Sequence, residues 1–267
     1  MSRIADRFAQ LRAQDRKALI PFITAGDPSL EATVPVMHAL VRAGADVLEL
    51  GVPFSDPMAD GPTIQRSSER ALRRGAGLAY VLEAVQEFRR EDADTPVVLM
   101  GYLNPVEIHG TERFAAAAVA AGVDGVLLVD LPPEEAAQTR EIFDKAGLAL
   151  IVLAAPTTDD ARLPLVCALA QGYLYYVSFA GVTGADRLDT QAAGQRLQAL
   201  RRLATVPVVA GFGIKDAASA VAMAADADGV VVGSALVQAL EGAADSSQAR
   251  QRAEAFLAPL RQALDRR

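Results

Sequence analysis

The chain has little of what several kinds of chemistry require. One cysteine, Cys167, stands among 267 residues, so no internal disulfide can form and a reducing compartment is the natural setting. It lies in a helical pattern and reads as packing rather than as a nucleophile. The two histidines, His38 and His109, fall in or beside helical segments rather than at strand ends, which gives a metal site little support. There are three lysines: Lys17 and Lys145 precede predicted strands and Lys215 opens a predicted surface helix, so none suits a Schiff base. No serine–histidine pair has the context of a triad. The longest apolar run, Gly147 to Pro156, is too short to span a bilayer, and the start, Met1-Ser2-Arg3-Ile4-Ala5-Asp6, is charged where a secretory signal would be apolar. A formal net charge of −7 argues against nucleic acid and anionic membranes as partners. It leaves room for an anionic small ligand, because backbone N–H groups at a helix start hold phosphate without any net positive charge. Together these absences predict a soluble, cytoplasmic protein without a metal centre.

What is present is material for a large core and a repeating pattern. Hydrophobic residues make up 51% of the chain and charged residues 22%, ordinary for a globular domain of this length. Ile4, Phe8 and Leu11 predict a helix ahead of the main fold. Short apolar strands are predicted at Ala18–Thr24, Val47–Gly51, Val97–Met100, Gly125–Val129, Leu148–Leu153, Tyr173–Val177, Val206–Ala210 and Gly229–Val232. Helical segments follow each of them. Ser29 is expected to cap the first of these helices, and Gly44, Gly122, Gly147 and Gly172 to end helices. Strands apolar on both faces are parallel strands covered by helices. Eight such units predict a (β/α)8 barrel, the TIM-barrel class, with an extra N-terminal helix and additional helices. A doubly wound open sheet is the alternative, but Gly26-Asp27-Pro28 after the first strand is not its glycine fingerprint. No linker divides the chain, so one domain over 1–267 is expected.

In such a barrel the active site lies where strands run into helices. The stretch Val47-Leu-Glu-Leu-Gly-Val-Pro-Phe-Ser-Asp-Pro-Met-Ala-Asp-Gly-Pro62 carries three acids there. Strand alternation puts Glu49 on the face opposite Leu48 and Leu50, hence toward the barrel interior if the leucines meet helices. An acid there is functional, or else it is a strand-edge group, solvated or paired with an arginine. An apolar surround would raise its proton affinity and let it exchange protons near neutrality. Asp60 stands in Asp-Gly-Pro, which is also good turn chemistry. Asp27 and Asp130 read as cap or turn residues. Tyr102 and Asn104 follow strand three, and Tyr175 lies in strand six. The Gly-containing turns Gly211-Phe212-Gly213 and Gly233-Ser234 follow the last two strands, where many barrels bind phosphate. Gly184 could close that site. Phe22, Leu127 and Phe212 are core residues that become pocket walls if the substrate has an apolar ring. A carboxylate acid/base enzyme acting on a small phosphorylated substrate is what remains.

Several motifs resemble the tryptophan synthase α subunit family. They are Phe22-Ile-Thr-Ala-Gly-Asp-Pro28, Glu49 through Pro62, Met100-Gly-Tyr-Leu-Asn-Pro105, Asp124-Gly125-Val126 with Asp130-Leu131-Pro132, Tyr175-Tyr176-Val177-Ser178, Gly181-Val182-Thr183-Gly184, and Gly213. The resemblance keeps its order from about Ile4 to the final helix. It implies a (β/α)8 barrel that cleaves indole-3-glycerol phosphate to indole and glyceraldehyde 3-phosphate, with Glu49 as the acid/base and Asp60 binding the indole N–H. It further implies that Phe22, Met100, Leu127, Tyr175 and Phe212 line the indole pocket. Gly184, Gly213, Gly233 and Ser234 would hold the phosphate, and loops carrying Pro53, Asp56 and Thr183 would close over substrate and meet the partner. No cofactor is implied in this chain; pyridoxal phosphate belongs to the implied β subunit of an α2β2 complex. Phe179-Ala180 and Met100 depart from residues common in the family. Two other readings stay open: a regulatory subunit that binds a phosphorylated effector with little turnover, and a stand-alone lyase.

Overall fold

The computed structural model describes residues 2–177, 190–211 and 213–266. Among them, eight parallel strands close into a barrel in chain order. They are β1 Ala18–Thr24, β2 Leu48–Gly51, β3 Val97–Gly101, β4 Gly125–Leu128, β5 Ala149–Ala154, β6 Leu174–Val177, β7 Val208–Gly211 and β8 Gly229–Val232. β1 pairs with both β2 and β8, which leaves no free edge. The helices are α1 Arg3–Ala13, α2 Thr33–Arg42, α3 Pro62–Arg73, α4 Leu78–Phe88, α5 Leu103–His109, α6 Thr111–Ala121, α7 Ala136–Ala146, α8 Leu163–Leu169, α9 Thr190–Leu203, α10 Ala217–Ala224, α11 Ser234–Leu240 and α12 Ser246–Asp265. No helix among the described residues is long and apolar enough to cross a membrane.

Alternation along each strand divides the core in two. Leu19, Leu48, Leu50, Leu99, Val126 and their counterparts pack outward against the helices. Ile20, Val47, Val98, Leu127, Ile151, Tyr173 and Val209 fill the barrel interior. The helix predicted ahead of the fold plugs the interior from below, burying Ile4, Phe8 and Leu11 in that same cluster. Each such side chain contributes about 1.5–3 kcal/mol.

The lower rim is held by a device that periodicity does not reveal. The residues leading into the even-numbered strands reach back to the start of the strand before. Asp46 accepts from Leu19 N at 2.8 Å, Asp124 from Val97 N at 2.8 Å, Gln171 from Leu150 N at 2.8 Å and Asp228 from Val208 N at 2.9 Å. Arginines neutralise the buried carboxylates: Arg7 and Arg261 on Asp46, Arg3 and Arg89 on Asp124. Arg3 and Arg7 both come from α1, so the plug is tied down by charge as well as by packing.

Two local expectations change. Ser29 makes no side-chain cap; a short 3-10 turn, Leu30–Ala32, leads into α2 instead. α5 begins directly after Tyr102 and carries Asn104-Pro105 in its first turn. Proline is tolerated in a first turn, and the start is capped from a distance by Asp130, which accepts from Leu103 N at 2.8 Å. Gly122 and Gly147 end their helices in the left-handed conformation as expected. Gly172 has positive φ but follows α8, which has already stopped at Leu169.

Candidate active site

β2 places Glu49 between Phe22 of β1 and Val98 of β3 in the barrel register. The side chain points inward as strand alternation predicts, and the residue is 1% exposed. No arginine among the described residues meets it. Its Oε1 accepts a 2.6 Å hydrogen bond from the Tyr173 hydroxyl, and its Oε2 is buried with no hydrogen-bond partner among the described residues. Burial pushes the carboxyl up to about 7, against the opposing pull of the Tyr173 bond. Burial and the charge of Glu49 hold the Tyr173 and Tyr175 phenols well above their usual value. A carboxyl with this proton affinity exists in both protonation states at neutral pH, as an acid/base requires.

Asp60 lies in the loop between β2 and α3. Its Oδ2 accepts a 2.8 Å hydrogen bond from the hydroxyl of Tyr102, the residue after β3. Burial raises its proton affinity too, and the Tyr102 bond opposes the rise. Asp60, Phe22, Gly51, Ile64, Met100 and Tyr102 share one small cavity of about 10 Å³, room for about one water. Gly51 is required here: a Cβ at this position would come within 2.6 Å of the Phe22 ring. Pro53 is buried and Asp56 exposed in the same loop, where Asp56 accepts from the Ser55 hydroxyl at 2.5 Å.

The other predicted residues distribute as follows. Leu127 lies in register with Met100 and Ile151, wholly buried. Tyr175 stands between Leu153 and Val209, its hydroxyl against Gly211, where any Cβ would collide with it. Gly213 has positive φ just beyond β7, and Gly233 joins β8 directly to α11, which Ser234 opens. The two turns therefore sit on adjacent strands. Thr183, Gly184 and Phe212 lie outside the described residues. Asp27 does more than close a turn: its carboxylate takes two 2.8 Å bonds from the Arg70 guanidinium on α3. Among the described residues no group of three or more His, Cys, Asp or Glu side chains is placed to hold a metal ion.

A larger hollow of about 280 Å³ lies between β4, β5, α7 and α8. Its arginine, Arg162, is neutralised by Glu134 at 2.8 Å. It contains neither buried acid, so volume alone is the wrong guide to the chemistry here. Tyr173 and the role of Tyr102 escaped the sequence reading. The one signal for Tyr173 was its two-residue spacing from Tyr175, which puts both on one strand face.

A closed (β/α)8 barrel with a desolvated carboxyl inside it and a second one at the same strand ends defines the class, a TIM-barrel enzyme whose site lies at the C-terminal ends of the strands. The sequence pattern of the family described as tryptophan synthase alpha chain matches residues 8–265. The tryptophan synthase alpha chain of Xanthomonas axonopodis pv. citri is 80% identical over 266 residues, 99% of each chain. The crystal structure of tryptophan synthase subunit alpha from Legionella pneumophila str. Paris superposes with a TM-score of 0.93 at 46% identity, covering 100% of both chains. A chain from the tryptophan synthase a2b2 complex of Pyrococcus furiosus, described as mutually activated, reaches 0.85 at 40% identity over 92% of this chain and 98% of its own. This chain belongs to the tryptophan synthase alpha chain family, lyases of tryptophan biosynthesis.

Proposed function

We propose that this chain, as a single domain over 1–267, cleaves the carbon–carbon bond of indole-3-glycerol phosphate in a metal-free retro-aldol step without a Schiff base. The products are indole and glyceraldehyde 3-phosphate. The observation that carries the reading is the Glu49 carboxyl, buried in the barrel with one oxygen unpartnered among the described residues and a proton affinity near neutrality. Cleavage needs one proton delivered to indole C3 and one removed from the glycerol hydroxyl on the adjacent carbon. The C3–carbon bond then breaks, its electron pair returns to the ring, and the hydroxyl carbon becomes the aldehyde. A single carboxyl that gives the first proton and takes the second ends as it began, and a value of about 7 makes both states accessible. The protonated indole ring is itself the electron sink.

Asp60 carries the second role. A carboxylate beside the ring N–H stabilises the positive charge that develops there, and it does so more strongly where water is excluded. Phe22, Met100, Leu127, Tyr175 and Phe212 form the apolar walls of the indole pocket in this reading. The phosphate is held by the turns at Gly213 and Gly233-Ser234, with Gly184 and Thr183 closing over it. The partner is a β subunit in an α2β2 complex, which carries pyridoxal phosphate and consumes the indole; no cofactor is assigned to this chain, and the setting is the cytoplasm. The exposed Asp56 and Met58, Met58 84% exposed, with Pro53 buried at the base of the same loop, suit that partner surface. Indole release from indole-3-glycerol phosphate, measured with and without a β subunit, tests the reading. Turnover in either condition supports it, and its absence in both would leave a regulatory phosphate-binding subunit.

A further inference from the structure

Tyr102 occupies an unusual place. It is 5% exposed, sits between β3 and α5, and its hydroxyl does two things at once. It donates to Asp60 Oδ2 at 2.8 Å and accepts from the backbone N–H of Ala59 at 3.0 Å. Its ring packs on Phe54 with centroids 5.1 Å apart. One side chain thus holds the loop between β2 and α3 near its beginning, at Phe54, and at its end, at Ala59 and the Asp60 carboxylate. Phenylalanine would fill the same space. The hydroxyl is what makes both polar contacts, so packing alone does not account for the residue.

We propose that Tyr102 is a positioning residue for the lyase reaction, holding the Asp60 carboxylate and the loop 54–60 in one fixed arrangement relative to β3. The proposal rests on the reading of Asp60 given above. Its reasoning is geometric. The cavity beside Asp60 is walled by Phe22 of β1, Gly51 of β2, Met100 of β3, Val129 after β4, and Ile64 and Ser68 of α3; none of these titrates. Gln65 of α3 adds neutral contacts, donating to the backbone oxygens of Asp60 and Pro57. Tyr102 is therefore the side chain among the described residues that sets both the direction of Asp60 and its preference for the charged form. Asp130, beyond β4, reaches Tyr102 only through its charge. A hydrogen bond from a phenol to a carboxylate favours the ionised acid, the form that opposes a positive ring nitrogen. In a partly dry site, a free-swinging Asp60 would lose both its aim and its charge.

The test uses the full-length chain in four forms: unaltered, Tyr102→Phe, Asp60→Asn and the double variant. Indole release from indole-3-glycerol phosphate is followed across pH. Tyr102→Phe, which keeps the ring contact to Phe54, is expected to lower kcat about tenfold with a smaller change in KM, as for loss of a hydrogen bond to a charged group. Loss of the donor raises the proton affinity of Asp60, so the acid limb of the profile should move up by about one pH unit. In the double variant the Tyr102 effect should vanish, because its target is gone. Tyr102→Leu should behave no better than Tyr102→Phe, since the hydroxyl is the active part. A Tyr102→Phe enzyme with unaltered kcat and acid limb would overturn the proposal, as would an effect undiminished in the Asp60→Asn background. A fully active Asp60→Asn enzyme would overturn the underlying reading of Asp60 instead, so the two failures are distinguishable.

Discussion

Replacing Glu49 by glutamine should alter the pH dependence of stability in a way that can be worked out in advance. The folded carboxyl stands at about 7 against an ordinary value of 4.5, raised chiefly by burial. The folded state therefore binds this proton more tightly than the unfolded chain. Below pH 4.5 both states hold it and folding carries no penalty from ionisation. As pH rises through the window from 4.5 to about 7, the unfolded chain loses its proton first and the folded state is progressively disfavoured. Above that window the penalty is complete. A gap of 2.5 units corresponds to about 3 kcal/mol, a large fraction of typical domain stability. Glutamine is nearly isosteric, can still accept from Tyr173, and does not ionise. Urea unfolding of both proteins at pH 5 and pH 8 isolates the term, because every other titrating group cancels in the comparison. The variant should gain stability relative to the unaltered protein between the two pH values, by up to about 3 kcal/mol. Parallel stability changes in the two proteins would refute the claim that Glu49 is held in a desolvated, high-affinity state.

Two further outcomes follow from named contacts. Tyr173→Phe removes the Tyr173 hydrogen bond on Glu49 Oε1; since that bond lowers the proton affinity, its loss should move the Glu49 limb of the kcat profile upward by about one pH unit, and an unmoved limb would contradict the assignment. Asp124→Ala strips the partner from the half-buried Arg3, from Arg89 and from Val97 N at the lower rim; it should cost about 3–5 kcal/mol in urea unfolding while leaving KM for indole-3-glycerol phosphate unchanged, and a cost under about 1 kcal/mol would show that the clamp is not structural.

How much of this could be read before the fold was in hand depends on chain distance. The barrel was legible because each strand announces itself locally, and the inward direction of Glu49 follows from its two leucine neighbours. The phenol that holds it could not be read that way, since Tyr173 is 124 residues away. The lower-rim clamps pair residues 20 to 27 apart, beyond any helical or strand period. The cap of α5 is remote in the same way: Asp130 comes from 27 residues downstream of Leu103. Asp60 was ambiguous on local chemistry alone. Its partial burial and its Tyr102 bond, absent from the Asp-Gly-Pro motif itself, separate it from an ordinary turn aspartate. Asp56, equally prominent in the sequence, is exposed, and among the described residues its carboxylate is bonded within its own loop.

The central claim is that one buried carboxyl moves the protons of carbon–carbon cleavage. It is tested most directly by the steady-state rate of indole formation from indole-3-glycerol phosphate by the Glu49→Gln enzyme beside the unaltered one, in the presence of a β subunit. The account predicts a fall in kcat of about 10³-fold with binding of a substrate analogue retained. A Glu49→Gln enzyme that releases indole at a near-normal rate would contradict it.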